Sequence, residues 1–305
     1  MKKRLSLMLA ILLMFSVTMS CNKQKEPLRL ATYTYSTNDR LKNLQPLADD
    51  LAEQLKRPVS TTSYPDVASF IKGLKSNSVD IALINTLGYL LLSLNNEHMN
   101  PVAVLKVRQD AVDNYKTVLL TTKMDIADLD DVKEKASGLS MMFVAEGSTS
   151  GNLVPRLLFS SMGLNAPKQQ FKHVSYGGNH TSTLERLLAG EADLCAIGSN
   201  EYFKQLKADS TLKTATRLLW ISKEIPLGPV LLNKRLANDE QQQITKRLLQ
   251  LHDADASVLQ SIKAGWSEAK QAEKFYAITD NYYDNFRMVN GNTTDLAEIL
   301  AAFVK

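Results

Sequence analysis

What most restricts the fold of this chain is an alternation that begins at Leu28. Short β-prone runs are each followed by a stretch whose apolar residues recur at helical spacing. Leu28–Tyr33 is the first such run, and behind it Leu41, Leu44, Leu47, Leu51 and Leu55 fall on one helical face. Residues 58–63 predict a strand, and residues 66–75 a helix that turns Val67, Phe70, Ile71 and Leu74 inward. Residues 79–84 are apolar almost throughout, which suits a strand buried on both faces. Alternation of this kind predicts an α/β architecture with mostly parallel sheets covered by helices. A second set of units follows residues 116–122: a strand over 139–144, a helix after Gly151, a helix around 183–189 closed by Gly190, and a strand over 193–197. Two passages, near 115–121 and near 222–230, read as crossings between two lobes. The predicted boundaries are 28–117 for the first part of lobe 1, 118–224 for lobe 2, and 225–305 for the return to lobe 1 with the C-terminal helices. Two lobes joined in this way leave a cleft, and clefts between domains are where small ligands usually bind.

The N-terminus carries a different signal. Lys2, Lys3 and Arg4 precede an apolar stretch from Leu5 to Phe15, then small or polar residues lead to Cys21. Residues 1–20 therefore read as a secretory signal peptide, with an apolar part too short to span a bilayer as a mature helix. A cysteine directly behind such a segment resembles the bacterial lipoprotein signal, in which the thiol receives diacylglycerol and the chain is cut in front of it. Thr18-Met19-Ser20 is a looser version of that consensus, which prefers Leu three residues before the cysteine; ordinary cleavage nearby is the alternative. The expectation is an extracytoplasmic monomer held to the membrane by a lipid on Cys21, with residues 21–27 as lipidated terminus and short polar tether. Of the 36 Lys and Arg residues, three lie in the leader, which has no acid; 33 remain against 32 Asp and Glu, a net charge of +1. A near-neutral surface gives no support for a nucleic-acid partner. About 280 residues remain, more than one core usually supports. Cys195 stands alone in an apolar run and reads as a buried small hydrophobe, so no disulfide framework is available. No histidine pair has metal-ligand spacing, and neither metal nor cofactor is expected.

Two segments carry chemistry. The first, residues 145–156, puts Ser148, Thr149 and Ser150 between a predicted strand and a predicted helix, with Gly147 and Gly151 on either side. The first N–H groups of a helix lack intrahelical acceptors, so an oxyanion there would receive side-chain O–H donors, free amides and the positive end of the dipole. The glycines would let the backbone approach that ligand. A plain N-cap is the simpler reading for any single one of these hydroxyls. A nucleophile elbow needs glycines two residues either side of a serine, whereas these flank Thr149. The second segment, residues 176–193, contains His180; Ser182 and Glu185 have capping-box spacing, which places His180 just before a helix start as an uncharged donor. His98, His173 and His252 have no such context and read as surface or packing residues.

Ser148-Thr149-Ser150-Gly151-x-Leu153-Val154-Pro155, followed by Gly178-x-His180 and Leu187-x-x-Gly190-Glu191-x-Asp193, resembles the phosphate/phosphite/phosphonate-binding proteins of ABC importers. The similarity extends over most of the chain behind the leader. Residues 66–80 resemble the family's first-lobe segment, residues 226–230 its return crossing, and Gly265-Trp266 with Tyr283-Asp284 its C-terminal pattern. The resemblance implies a two-lobed periplasmic-binding-protein fold of type II with an interlobe ligand cleft. It also implies a solute-binding lipoprotein that delivers phosphonate, phosphite or phosphate to a membrane permease. Ser148, Thr149, Ser150 and His180 would hold the oxyanion.

The chain departs from aminophosphonate-binding members of the family. Where those have first-lobe tyrosines it has Val67 and Ile84, and where they have acids for the ligand's ammonium it has Asn200 and Gly228. A buried ammonium without a counter-charge costs several kcal/mol, so the expected ligand has no cationic amine. Tyr35, Asn85 and Thr86, in strand-end loops, are the expected first-lobe donors, with ordinary turn and capping chemistry as the alternative. A sensory protein signalling to a membrane kinase would look the same in sequence. An enzyme is disfavoured by the lack of a nucleophile–base pair, a metal cluster or a Gly-rich nucleotide loop.

Overall fold

The computed structural model describes residues 25–35, 38–108, 111, 114–287 and 293–304. The signal peptide, Cys21 and the start of the tether lie outside the described residues. The strands are β1 (Leu28–Tyr33), β2 (Val59–Tyr64), β3 (Ile81–Leu83), β4 (Met99–Val107), β5 (Thr117–Thr121), β6 (Ser140–Phe143), β7 (His173–Tyr176), β8 (Leu194–Gly198), β9 (Arg217–Ile221), β10 (Pro229–Asn233) and β11 (Ala272–Ala277). They form two sheets, ordered β11-β4-β10-β3-β1-β2 and β7-β6-β8-β5-β9. Helices cover both faces of each, giving the two-lobed α/β arrangement that the alternation predicts.

The sheets are mixed rather than mostly parallel, which corrects the sequence expectation. β1 runs parallel to β2 and β3, and β6 parallel to β7 and β8. β10 runs against both β3 and β4, β11 against β4, and β5 against β8 and β9. The physical reason is the double crossing: β10 re-enters the first sheet from the other lobe and is inserted between β3 and β4 in the opposite direction. β4, β7 and β11 have no counterpart in the sequence reading. β4 contains Pro101, ordinarily a strand breaker, at the irregularity where its register with β10 shifts. β11 is an edge strand whose Glu273 and Lys274 disguise it as a polar turn.

Local signals explain most of the helices. The Leu41–Leu55 helix buries Leu44, Leu47, Ala48 and Leu51, with Leu41 and Leu55 half-buried at its ends. Asp66 caps the Val67–Lys75 helix by accepting the Ser69 amide at 2.7 Å. Cys195 is fully buried in β8, and that burial pushes its thiol pKa up. Among the described residues no helix is long and apolar enough to cross a membrane.

The crossing segments hold each other. The Ser222 amide bonds the Thr117 carbonyl at 2.9 Å, the Ile225 amide bonds the Tyr115 carbonyl at 2.8 Å, and Ser222 Oγ accepts the Thr117 amide at 2.9 Å. An apolar cluster on one face of the first sheet, including Tyr33, Val67 and Phe70, continues onto Leu153 and Leu157 of the other lobe and onto Leu296 and Leu300 of the Thr293–Val304 helix. The lobes therefore meet through packed side chains as well as through two strands. At the second crossing a Cβ on Gly228 would lie 1.9 Å from the Ile84 carbonyl oxygen and 2.5 Å from Asn85 Cα, both backbone atoms with little room to yield. Gly228→Ala is expected to cost about 1–3 kcal/mol as overpacking. Urea unfolding should show a lowered midpoint at unchanged slope; an unchanged midpoint would contradict this packing.

Candidate functional site

The mouth of one helix is built from the serine–threonine–serine segment. After β6 the chain turns at Ser148, whose Oγ accepts the Gly151 amide at 3.0 Å. Thr149–Leu153 winds as a π-helical turn that runs directly into the Val154–Ser161 helix. The glycines serve the protein rather than a ligand: a Cβ on Gly151 would meet Val144 at 2.3 Å, and Gly147 lies against Val67. The Gly147 carbonyl also accepts Asn85 Nδ2 from the opposite lobe at 2.8 Å.

His180 belongs to a second helix start, though not as the capping-box spacing suggests. The helix His180–Leu188 is capped by Asn179, whose Oδ1 accepts the Ser182 amide at 2.8 Å. Ser182 lies inside the helix, and His180 is its first residue. His180 Nδ1 accepts the Gly198 amide at 3.0 Å. The ring proton must then sit on Nε2, which lies 3.4 Å from the Tyr35 hydroxyl across the cleft. Burial lowers the imidazole pKa from 6.5 to about 4, with Glu201 opposing it. At neutral pH the ring is an uncharged donor with a fixed tautomer.

The hydroxyls keep their protons available. Ser148 and Thr149 each accept an amide, Thr149 that of Leu87 across the cleft at 3.0 Å. Ser150 Oγ is buried and makes no hydrogen bond of regular geometry, although the Tyr115 hydroxyl lies close enough to interact with it. Ser150 Oγ lies 3.4 Å, and His180 Cε1 3.5 Å, from where a Cβ of Gly198 would stand, so the two converge on one spot. The Thr149 and Ser150 amides open the helix and have no carbonyl ahead of them within it.

Beside these groups is a cavity of about 110 Å3 whose walls include Tyr33, Tyr35, Arg40, Asn85, Tyr115, Ser148, Thr149, His180 and Glu268, while Ser150 is not among the lining residues. Sequence reasoning missed four of these. Arg40 is 3% exposed; its Nε donates to the Gly265 carbonyl at 2.7 Å and its Nη1 has no partner. The guanidinium lies 4.7 Å from the Tyr33 ring, 5.4 Å from Tyr35 and 4.6 Å from Trp266, and among the described residues no acid pairs with it. The Tyr33 hydroxyl is buried and likewise makes no hydrogen bond of regular geometry, with the Arg40 guanidinium close by. Burial raises the pKa values of Tyr33, Tyr35 and Tyr115, keeping all three as neutral phenols. Glu268, half-buried, is an acid in the same wall. The available signal was Tyr33-x-Tyr35 ahead of an arginine at a helix start, a cation flanked by aromatic rings.

The other predicted positions fall differently. Asn85 lines the cavity, but its Oδ1 accepts the Gly88 amide at 2.9 Å and its Nδ2 reaches Gly147. Thr86 is 1% exposed, donates to the Pro226 carbonyl at 2.6 Å and lies outside the cavity wall. Val67 and Ile84 are packed in the apolar cluster. Asn200 bridges the lobes to the Ser267 carbonyl at 3.2 Å, and Gly228 packs behind Ile84.

A family model described as the phosphonate periplasmic substrate-binding protein of ABC transporters matches residues 30–275. A probable ABC-transporter phosphite-binding protein of Prochlorococcus marinus is 21% identical over 178 residues, 57% of this chain and 59% of the relative. The phosphonates-binding periplasmic protein of Escherichia coli is 26% identical over 226 residues, 73% of this chain and 65% of the relative. The matches to these two curated relatives thus span less than two thirds of each. A solved Prochlorococcus marinus structure in complex with methylphosphonate shares the fold, with a TM-score of 0.64 at 19% identity over 85% of this chain and 95% of that one.

The geometry makes a direct claim about His180. Nitrogen NMR is expected to show a neutral ring protonated on Nε2 through the mildly acidic range, titrating with a midpoint of about 4. A midpoint near 6.5, or the proton on Nδ1, would contradict it.

Proposed function

The chain belongs to the family of periplasmic phosphonate substrate-binding proteins of ABC transporters, and from that premise we propose that it captures a small phosphorus oxyanion in the cleft and presents it to a membrane permease. The observation that carries this reading is the convergence of the buried Ser150 Oγ, which makes no regular hydrogen bond, and the neutral His180 ring on one spot at Gly198. Ser148, Thr149 and the amides opening the same helix add donors, Arg40 adds the compensating positive charge, and Tyr33, Tyr35 and Tyr115 complete the first-lobe side. Size supports a small ligand: a cavity of about 110 Å3 exceeds the ~10–15 Å3 that one water needs and falls below the ~300–1,000 Å3 of sites for drug-sized molecules. Phosphonate, phosphite and phosphate all fall in that range.

Capture works by closure. Asn85 to Gly147, Leu87 to Thr149, Tyr35 to His180 and Asn200 to Ser267 are cross-lobe contacts, and a ligand bridging the same faces favours the closed form by its difference in affinity between open and closed states. The lobes divide at residues 117/118 and 224/225 in this reading. Micromolar affinity corresponds to about 8 kcal/mol, within reach of several charge-assisted hydrogen bonds at ~1.5–3 kcal/mol each. The protein works outside the cytoplasm as a monomer, tethered by a lipid on Cys21 behind a cleaved signal peptide. No chemistry on the ligand is part of the role.

Thermal-shift titration with phosphate, phosphite, methylphosphonate and 2-aminoethylphosphonate tests this. A bound ligand at a hundredfold over its Kd adds roughly 2.7 kcal/mol of stability, and the unaminated compounds are expected to give the larger shifts. Replacing Ser150 and His180 together by alanine should remove roughly 3 kcal/mol or more of binding, over a hundredfold in Kd. Undiminished affinity in that variant would end this reading.

A further inference from the structure

The cavity contains two side chains of opposite charge that do not pair. Arg40 donates its Nε to the Gly265 carbonyl, and Glu268 follows three residues later in the short turn Ser267–Ala269. Both line the same wall, yet among the described residues no ion pair joins Glu268 to Arg40 or to any other cation. Among the described residues the one hydrogen bond to the Glu268 carboxylate is a long one of 3.5 Å from the adjacent Ser267 hydroxyl. Its field reaches Tyr33, Tyr35 and Tyr115, the phenols on the first-lobe side of the cavity. A site for a fully ionised anion has no use for a carboxylate, because an ionised carboxylate can only accept hydrogen bonds and would repel another acceptor of like charge.

We propose that Glu268 recognises a hydrogen on the ligand, so that the site takes a phosphorus oxyanion bearing one P–OH in preference to isosteric oxyanions with no hydrogen to give. This rests on the oxyanion-binding reading and adds its specificity. The ionised oxygens face Ser150, His180, the helix amides and Arg40, all donors, while the P–OH donates to Glu268. Sulfate has the shape and charge of hydrogen phosphate without the proton, and methanesulfonate stands to methylphosphonate in the same way. Both would set a bare oxygen against the carboxylate.

The other titratable or charged groups lining the cavity with Glu268 are Tyr33, Tyr35, Tyr115, Arg40 and His180. Burial keeps the phenols protonated and leaves His180 neutral above about 4, and an arginine does not lose its charge. A pH dependence of affinity between about 6 and 9 therefore reports the ligand's last proton, with hydrogen phosphate as a control that keeps one P–OH across that range.

Calorimetric titrations of the intact protein with phosphate, sulfate, methylphosphonate and methanesulfonate decide it. The wild type is expected to bind phosphate on the order of a hundredfold tighter than sulfate. Its affinity for methylphosphonate should fall as pH rises through that ligand's final ionisation, while phosphate binding holds. Glu268→Gln, whose amide can donate, should narrow the phosphate-to-sulfate gap and remove the methylphosphonate pH dependence, with the methylphosphonate thermal shift at about pH 6 reduced towards its value at pH 9. Wild-type sulfate affinity equal to that for phosphate overturns the proposal even if the variant fails to fold. An unchanged ratio in a folded Glu268→Gln protein also overturns it. So does a wild-type preference for 2-aminoethylphosphonate over methylphosphonate that Glu268→Gln abolishes, since Glu268 would then serve an ammonium. Failure of the wild type to bind any of these oxyanions would instead sink the oxyanion-binding reading itself.

Discussion

A buried donor left without an acceptor costs about 1–3 kcal/mol, more when it is charged. Of the five buried side-chain polar atoms without a partner among the described residues, two belong to residues lining the cavity, the Tyr33 hydroxyl and Arg40 Nη1, and a third, Ser150 Oγ, follows directly on the lining residues Ser148 and Thr149. They come from both lobes, and the protein tolerates them where elsewhere it satisfies its polar groups closely. Around them the fold supplies rigidity. Val144 packs on Gly151, the Gly198 amide fixes the His180 tautomer, and Trp266 and two tyrosines hold the Arg40 plane. Donors held in this way lose little further freedom when an acceptor arrives, which is the advantage of preorganisation in binding.

The same arrangement explains the path of the chain. A cleft walled by both lobes needs a connection that bends without letting the lobes slide apart. Paired crossing strands with cross-bonds at Thr117–Ser222 and Tyr115–Ile225 provide it. Bringing β10 back through that connection makes the first sheet mixed and seats Gly228 directly on the Ile84–Asn85 backbone. Asn85 then caps the Thr86–Ser93 helix with one end of its amide and reaches Gly147 of the other lobe with the other end. Fold stability and lobe contact thus share residues.

Much of this was legible in the residues. The leucine stripe of the Leu41–Leu55 helix, the Asp66 cap and the apolar run before Asn85 follow from periodicity and local hydrogen bonding, and these elements lie where those rules put them. The hydroxyl triplet was visible because three donors at a strand-to-helix turn form a local pattern. Arg40, Tyr33, Tyr115 and Glu268 were not visible in that way, because they are separated by up to 235 residues and meet only through the tertiary fold. Thr86 shows the converse: its loop position invited a ligand role, while the Pro226 carbonyl takes its hydroxyl proton. The Ser182–Glu185 spacing misled for a similar reason, since Asn179 offers a better cap three residues earlier. Pairing direction also escaped the sequence, since antiparallel insertion of a returning strand leaves no mark in composition.

The central claim is geometric: one small anion satisfies the unused donors of both lobes together. A crystal structure of the protein with methylphosphonate tests it most directly. Ligand oxygens are predicted within about 2.6–3.2 Å of Ser150 Oγ and His180 Nε2, with Arg40 Nη1 no longer unpartnered. Methylphosphonate bound elsewhere, with Ser150 Oγ and Arg40 Nη1 still lacking a ligand oxygen, would contradict the account.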